Sequence, residues 1–111
     1  MIKILLLNPP FMPKYSRSSR SPSVTKGGTF YYPYFLAYAC GALEKIGKFN
    51  GSVELIDAVA NEWTHKETLD FINDMKPDLL VIETSTPIIC NDIEIAEKIK
   101  KILPKTHVSF V

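Results

Sequence analysis

The sequence predicts an α/β domain built on a parallel sheet with helices on both faces. Three observations carry this expectation. Short apolar runs alternate with segments of helical period, and Pro, Gly and capping residues punctuate the connections between them. The first run, Ile2–Leu7, is apolar at every position but Lys3, as a strand buried on both faces must be. At 111 residues the chain suffices for one domain with a single core, so residues 1–111 are read as one unit.

Asn8-Pro9-Pro10 stops the first strand. From Pro9 to Pro33 the chain is rich in Pro, Ser, Gly and basic residues, and a connection of that length inside a compact domain is usually a functional lid or disordered. Residues 11–32 are therefore expected to form a mobile basic loop. Pro33 suits the first turn of a helix whose apolar stripe is Phe35, Leu36, Ala39, Cys40, Leu43 and Ile46, with Gly47 as its C-cap. Val53–Ile56 reads as a second strand, ended by Asp57. Thr64 and Glu67 form a capping box for a helix that buries Leu69, Ile72 and Met75. Pro77-Asp78 turns the chain into a third strand, Leu79–Ile82, which ends at Glu83. After the polar loop Thr84-Ser85-Thr86-Pro87, Asn91 and Glu94 repeat the capping-box pattern. They open a helix with an inner face of Ile95, Ala96, Ile99, Ile102 and Leu103, ended by Pro104. Val108–Val111 begins a fourth strand.

The order βαβαβαβ implies right-handed crossovers and a Rossmann-like, doubly wound parallel sheet, with the flavodoxin-like strand order 2-1-3-4. Such sheets normally have at least five strands. The chain is thus expected to be the front part of a longer one, its fourth strand an open edge through which the isolated piece self-associates. Ligands of these sheets sit at the strand carboxyl ends, where the strand order reverses, here between the first and third strands. The connections that leave those two strands, Asn8–Pro33 and Glu83–Cys90, are the most polar and Pro-interrupted in the chain. Candidate binding residues are Asn8, Pro9, Pro10, Asp57, Thr84, Ser85 and Thr86. The hydroxyls of Thr84, Ser85 and Thr86 either meet a ligand or satisfy the backbone of a turn.

Several uses of the scaffold are excluded. A dinucleotide site needs Gly-x-Gly-x-x-Gly after the first strand, and Asn8-Pro9-Pro10-Phe11-Met12-Pro13 cannot make that turn. A phospho-receiver would place acids after the first strand and an Asp after the third, where Asn8 and Glu83 stand. No apolar run approaches the roughly 18 residues that cross a bilayer, no cleavage site follows Leu7, and the cytoplasm is the default. Cys40 and Cys90 form neither a metal cluster nor a disulfide scaffold; Cys40 reads as core, and Cys90 as a residue before the helix, stapled to Ile95. His65 and His107 read as surface histidines away from the site, and Trp63 as packing. No catalytic or metal-ligating set is visible. Residues 1–43 carry a charge of +5 and the remainder −4, which reads as a solvated basic loop or as one that meets an anion. Nucleic acid is disfavoured, since Phe30, Tyr31, Tyr32, Tyr34 and Phe35 run into a helix without interleaving with the basic residues.

Lys3-Ile4-Leu5-Leu6-Leu7-Asn8-Pro9-Pro10 and Tyr32-Pro33-Tyr34-Phe35-Leu36-Ala37-Tyr38-Ala39-Cys40-Gly41-Ala42-Leu43-Glu44-Lys45-Ile46-Gly47 resemble the amino-terminal domain of cobalamin-binding radical S-adenosylmethionine enzymes. So do Leu55-Ile56-Asp57-Ala58, Lys76-Pro77-Asp78-Leu79-Leu80-Val81-Ile82, the Thr84–Pro87 turn and Ala96-Glu97-Lys98-Ile99-Lys100. The group includes the anaerobic magnesium-protoporphyrin monomethyl ester cyclases and related iron–sulfur oxidoreductases, and the resemblance covers essentially the whole chain. It implies a parent enzyme, an oxidoreductase or methyltransferase, in which this domain holds cobalamin over its strand ends. A following barrel would bind a [4Fe-4S] cluster through Cys-x-x-x-Cys-x-x-Cys and cleave S-adenosylmethionine. That cysteine motif does not occur in these 111 residues, so the chain by itself is not expected to be catalytic. Two features depart from related cobalamin domains. No histidine lies between Asn8 and Thr29 to serve as a lower cobalt ligand, and Glu83 stands where a small residue is usual. The alternative is a sheet domain that has lost the cofactor and positions substrate or a partner domain.

Overall fold

Each apolar run becomes a strand because its neighbours cover it. In the computed structural model, which describes residues 1–11, 33–48 and 50–111, four strands pair in parallel in the order β2-β1-β3-β4. They are β1 (Ile2–Asn8), β2 (Gly51–Asp57), β3 (Leu79–Ile82) and β4 (His107–Phe110). Between them run α1 (Tyr34–Ile46), α2 (His65–Met75) and α3 (Ile89–Ile102), the last entered through a 3-10 turn at Thr86–Ile88. The expected doubly wound α/β architecture is therefore present, and the strand order reverses between β1 and β3. The loop expectation for residues 11–32 lies, beyond Phe11, outside the described residues.

The central strand explains its own sequence. β1 pairs with β2 from Ile2↔Gly51 to Asn8↔Asp57 and with β3 from Ile4↔Leu79 to Leu7↔Ile82. Leu5 and Leu7, with Leu80 and Ile82 of β3, face Ile72 of α2 and Ile95, Ala96 and Ile99 of α3. Ile4 and Leu6 face the other way, onto Leu36, with Val53, Leu55, Leu79 and Val81 around them. A strand sealed on both sides has no polar face, so the run stays apolar. Burying each of Leu5, Leu7, Leu80 and Ile82, none of which retains any solvent exposure, contributes about 1.5–3 kcal/mol.

Helix ends follow local chemistry, with corrections at the start of α3 and on the faces of α1 and α3. Thr64 accepts from the Glu67 N–H while the Glu67 side chain accepts from the Thr64 N–H, the expected capping box. Gly47 caps α1 as expected, with its N–H on Leu43 O at 3.0 Å. The second capping box does not form. Pro87 has its φ already set for a helical turn and starts the 3-10 segment, so the chain is helical by Ile89. Asn91 is then inside α3, its side chain released for other bonds, and Cys90 is exposed in the first turn instead of stapled to Ile95. The stripe of α1 is narrower than its sequence suggests. Only Leu36 is buried, with Cys40 and Leu43 packed beside it, while Phe35 is 49% and Ile46 68% exposed. Among the described residues one helix lies over this face, and its width of about 10 Å spans roughly two strands. In α3, Ile102 at the helix end is 48% exposed, and Leu103 takes the packing position.

The two rims of the sheet differ. On the amino side, Thr106 Oγ1 donates to Pro77 O at 2.7 Å, Lys100 Nζ donates to the carbonyls of Pro104 and Thr106 at 2.8 Å, and Asp78 Oδ2 accepts from the Lys3 N–H. Those bonds close the turns tightly. The carboxyl side carries the long connections. No helix among the described residues is long and apolar enough to cross a membrane.

Candidate functional site

Parallel pairing brings the carboxyl ends of all four strands to one rim, so the candidate residues become neighbours there. Asn8 and Asp57 end β1 and β2 in register. Asn8 Nδ2 donates to Asp57 Oδ1 at 2.9 Å, the same oxygen accepts from the Ala60 N–H at 3.1 Å, and Asn8 O accepts from the Ala58 N–H at 3.0 Å. Asn8 is 5% exposed. The amide and the carboxylate thus satisfy one another, and the ends of β1 and β2 are clasped.

Across the switch point the chemistry is different. The Glu83 N–H donates to Leu7 O at 3.0 Å and the Thr84 N–H to Val111 O at 2.9 Å, which extends the ladders past β3. Glu83 is itself buried, at 3% exposure. The Ser85 carbonyl accepts from the Ile88 N–H at 3.0 Å, closing the 3-10 turn, and Thr86 stands exposed at its start. Thr84 Oγ1 and Ser85 Oγ are buried, and among the described residues neither has a hydrogen-bond partner. Beside them opens a groove of about 220 Å³ between α1 and the tip of β3, lined by Phe35, Leu36, Ala39, Val81, Glu83 and Thr84, with Val111 at its end.

The seven candidate residues therefore fall into three groups. Asn8 and Asp57 bind each other. Thr84 and Ser85, with Thr86 on the outside, form a hydroxyl-bearing turn beside the groove. Pro9 and Pro10 are buried between these groups and reach a network that the sequence does not reveal. Asn91 Nδ2 donates to Pro10 O at 3.0 Å and lies 2.9 Å from Asp92 Oδ1, while Asn91 Oδ1 sits 2.8 Å from His65 Nε2. This corrects the expected place of His65. A helix that follows a parallel strand begins at the strand's carboxyl rim, so a residue in the first turn of α2 stands on the site side. His65 is half-buried there as part of a pin between α2, α3 and the chain leaving β1. The signal that could have found it is topological, since every first-turn residue of a βα unit shares this rim. His107, by contrast, opens β4 at the opposite rim, as expected.

Electrostatics sets one further group apart. Burial, and then the Glu44 carboxylate, push the Cys40 thiol above its ordinary value. Cys40 and Cys90 are both free thiols. Among the described residues, no three His, Cys, Asp or Glu side chains converge as a metal-binding group. What this rim can do chemically is hold a ligand by hydroxyls, an apolar slot and buried polar ends. The chain matches no protein-family model, and no curated protein or solved structure is significantly similar to it.

Proposed function

We propose that this chain is a holding module whose ligand is a cobalamin, laid across the strand carboxyl ends beside the β1–β3 reversal. The observation that carries the reading is the pair of buried hydroxyls, Thr84 Oγ1 and Ser85 Oγ, which among the described residues lack partners at that point. A buried polar group without a partner costs about 1–3 kcal/mol, which a bound ligand recovers by supplying the bond. The groove beside them, about 220 Å³, is smaller than the roughly 300–1,000 Å³ that encloses a whole ligand, so it suits one end of a larger molecule lying over the rim. Thr84, Ser85 and Thr86 would hold that end, and Asn8, Pro9, Pro10 and Asp57 would flank the ring. Bound corrinoid supplies a cobalt centre able to carry a methyl group or an electron. The [4Fe-4S] cluster and S-adenosylmethionine would belong to a separate radical barrel of the parent enzyme, because this chain has two cysteines and no three-cysteine motif.

The test is titration of the folded chain with hydroxocobalamin, followed by calorimetry and visible absorption. Uptake is expected, weakened about tenfold by Ser85→Ala together with Thr84→Val. Cobalt should show no protein-imidazole coordination, and its Co(II) spectrum should be unchanged by His65→Ala or His107→Ala. Nitrogen hyperfine splitting from a protein imidazole would overturn the ligation, and no uptake by folded protein would overturn the cofactor. The second reading, a sheet that has lost the cofactor and positions substrate or a partner domain, is favoured by two observations. Glu83 lines the groove where a small residue would leave it wider, and Asn8 and Asp57 are already paired with each other.

A further inference from the structure

The outer edge of β4 is built so that it can pair with itself. The His107 N–H donates to Asp78 O at 2.9 Å and the Val111 N–H to Ile82 O at 3.0 Å, while Val111 O accepts from the Thr84 N–H at 2.9 Å. Main-chain groups of alternate residues in a strand point the same way, so residues 107, 109 and 111 face β3. The N–H and C=O of Val108 and Phe110 then point out of the sheet. Among the described residues the strand has none of the usual guards. Its sequence, His-Val-Ser-Phe, contains no Pro and no Lys, and its ladder to β3 runs without a bulge from Leu79↔His107 to Ile82↔Phe110. Between this edge and α3 lies an open groove of about 820 Å³ whose apolar surface comes from Ile93, Ala96, Val108 and Phe110. Phe110 is 38% and Ile93 42% exposed.

We propose that a second copy of this chain occupies this edge, its β4 antiparallel to the first about a two-fold axis at Ser109. The register follows from the alternation. With the axis at Ser109, Val108 of each copy faces Phe110 of the other, and both are outward-pointing residues. Each such pair exchanges two N–H···O bonds, four in all by this geometry. A one-residue slip would set an outward residue against an inward one. A two-residue slip would leave a single self-pair within the strand, because the Thr106 N–H is already committed to Leu103 O. In the favoured register Val108 and Phe110 of the two copies meet side by side on the α3 face as cross-strand apolar pairs.

The helices agree with the strands. If α3 rides over the β3–β4 boundary, its symmetry mate lies two strand spacings away, about 10 Å, which is a helix-packing distance. The row of α3 that faces the groove is Ile93, Ala96, Glu97, Lys100 and Lys101. The two-fold axis makes the two helices antiparallel, so the lysine end of each row lies toward the Glu97 side of the other. Lys100 Nζ is held by the carbonyls of Pro104 and Thr106, which leaves Lys101 to meet Glu97 of the second copy.

Sedimentation velocity on the 111-residue chain over a concentration series should show a monomer–dimer equilibrium. Phe110→Pro removes an N–H that points outward, so it costs the internal ladder nothing and should raise the dissociation constant by about tenfold or more. Register is tested separately in a Cys40→Ser/Cys90→Ser background. Ser109→Cys should cross-link on mild oxidation, since a non-hydrogen-bonded antiparallel pair has Cα atoms about 4.5 Å apart. His107→Cys should not. A chain that stays monomeric throughout, a dimer indifferent to Phe110→Pro, or cross-linking at 107 in preference to 109 would each overturn the proposal.

Discussion

Removing the two buried hydroxyls at the tip of β3 should make the protein more stable and a poorer binder. Thr84→Val and Ser85→Ala delete Thr84 Oγ1 and Ser85 Oγ with little change of shape, and among the described residues neither oxygen makes a hydrogen bond. A buried hydroxyl that lacks a partner costs about 1–3 kcal/mol. Both side chains are only half-buried, so the lower end applies, and the double variant should gain about 1–2 kcal/mol. For a domain of this length that raises the melting temperature by about 5–10 °C. Urea unfolding followed by circular dichroism should show a higher midpoint at unchanged slope, which separates a stability change from a change in compactness. Opposite signs for stability and binding are what a site that stores unmade bonds requires. A double variant that loses 1 kcal/mol or more would show that the hydroxyls already have partners in the folded chain, and the argument for a ligand at this turn would fall.

Asn91→Ala removes the bonds to Pro10 O, His65 Nε2 and Asp92 Oδ1 at once, and should cost about 2–3 kcal/mol in the same urea assay. His65→Ala, which removes one of the three, should cost about 1 kcal/mol and be non-additive with it. Thr64→Ala breaks the capping box of α2 and should lower stability by about 1 kcal/mol. Lys76 caps the end of α2 with φ 52°, a left-handed conformation that strains a side chain, so Lys76→Gly should raise the melting temperature, by up to about 1 kcal/mol of stability. Burial and Glu44 hold the Cys40 thiol up, so stability should fall as pH rises through the value of an unfolded thiol, the neutral form being the one the fold prefers. Iodoacetamide should therefore modify Cys40 more slowly than the exposed Cys90, and Glu44→Gln should quicken it, as peptide mass mapping at pH 8 will read.

The parts of the fold legible in the sequence are those decided locally or by burial on both faces. β1 and β3 announce themselves as apolar runs bounded by Pro, and the Thr64–Glu67 box is a short-range motif that nothing competes with. The opening of α3 was not legible, because Asn91-x-x-Glu94 resembles a cap while Pro87, four residues earlier, starts the turn first. The stripe of α1 overstates its burial because the number of strands a helix covers is a tertiary quantity. The hydroxyls of Thr84 and Ser85 could be placed at the rim from topology alone. The bond between Asn8 and Asp57 needed the register of two strands that lie far apart in the chain. His65 was hidden for the same kind of reason: its partners come from two other connections, and no spacing in the sequence encodes them.

The clasp between Asn8 and Asp57 also bears on how this chain can change over generations. Asn8 donates and Asp57 accepts, so Asn8→Asp alone would set two carboxylates against each other at the 2.9 Å now spanned by a hydrogen bond. Asp57→Asn alone would keep Oδ1 as acceptor for both Asn8 Nδ2 and the Ala60 N–H, and would lose only the charge that strengthens those bonds. The exchanged pair, Asp at position 8 and Asn at 57, restores a donor facing an acceptor and still leaves an oxygen for Ala60. Drift at these two positions therefore passes through Asn at both, and related sequences should carry at most one carboxylate in the pair. Two residues 49 apart in the chain thus limit each other's charge.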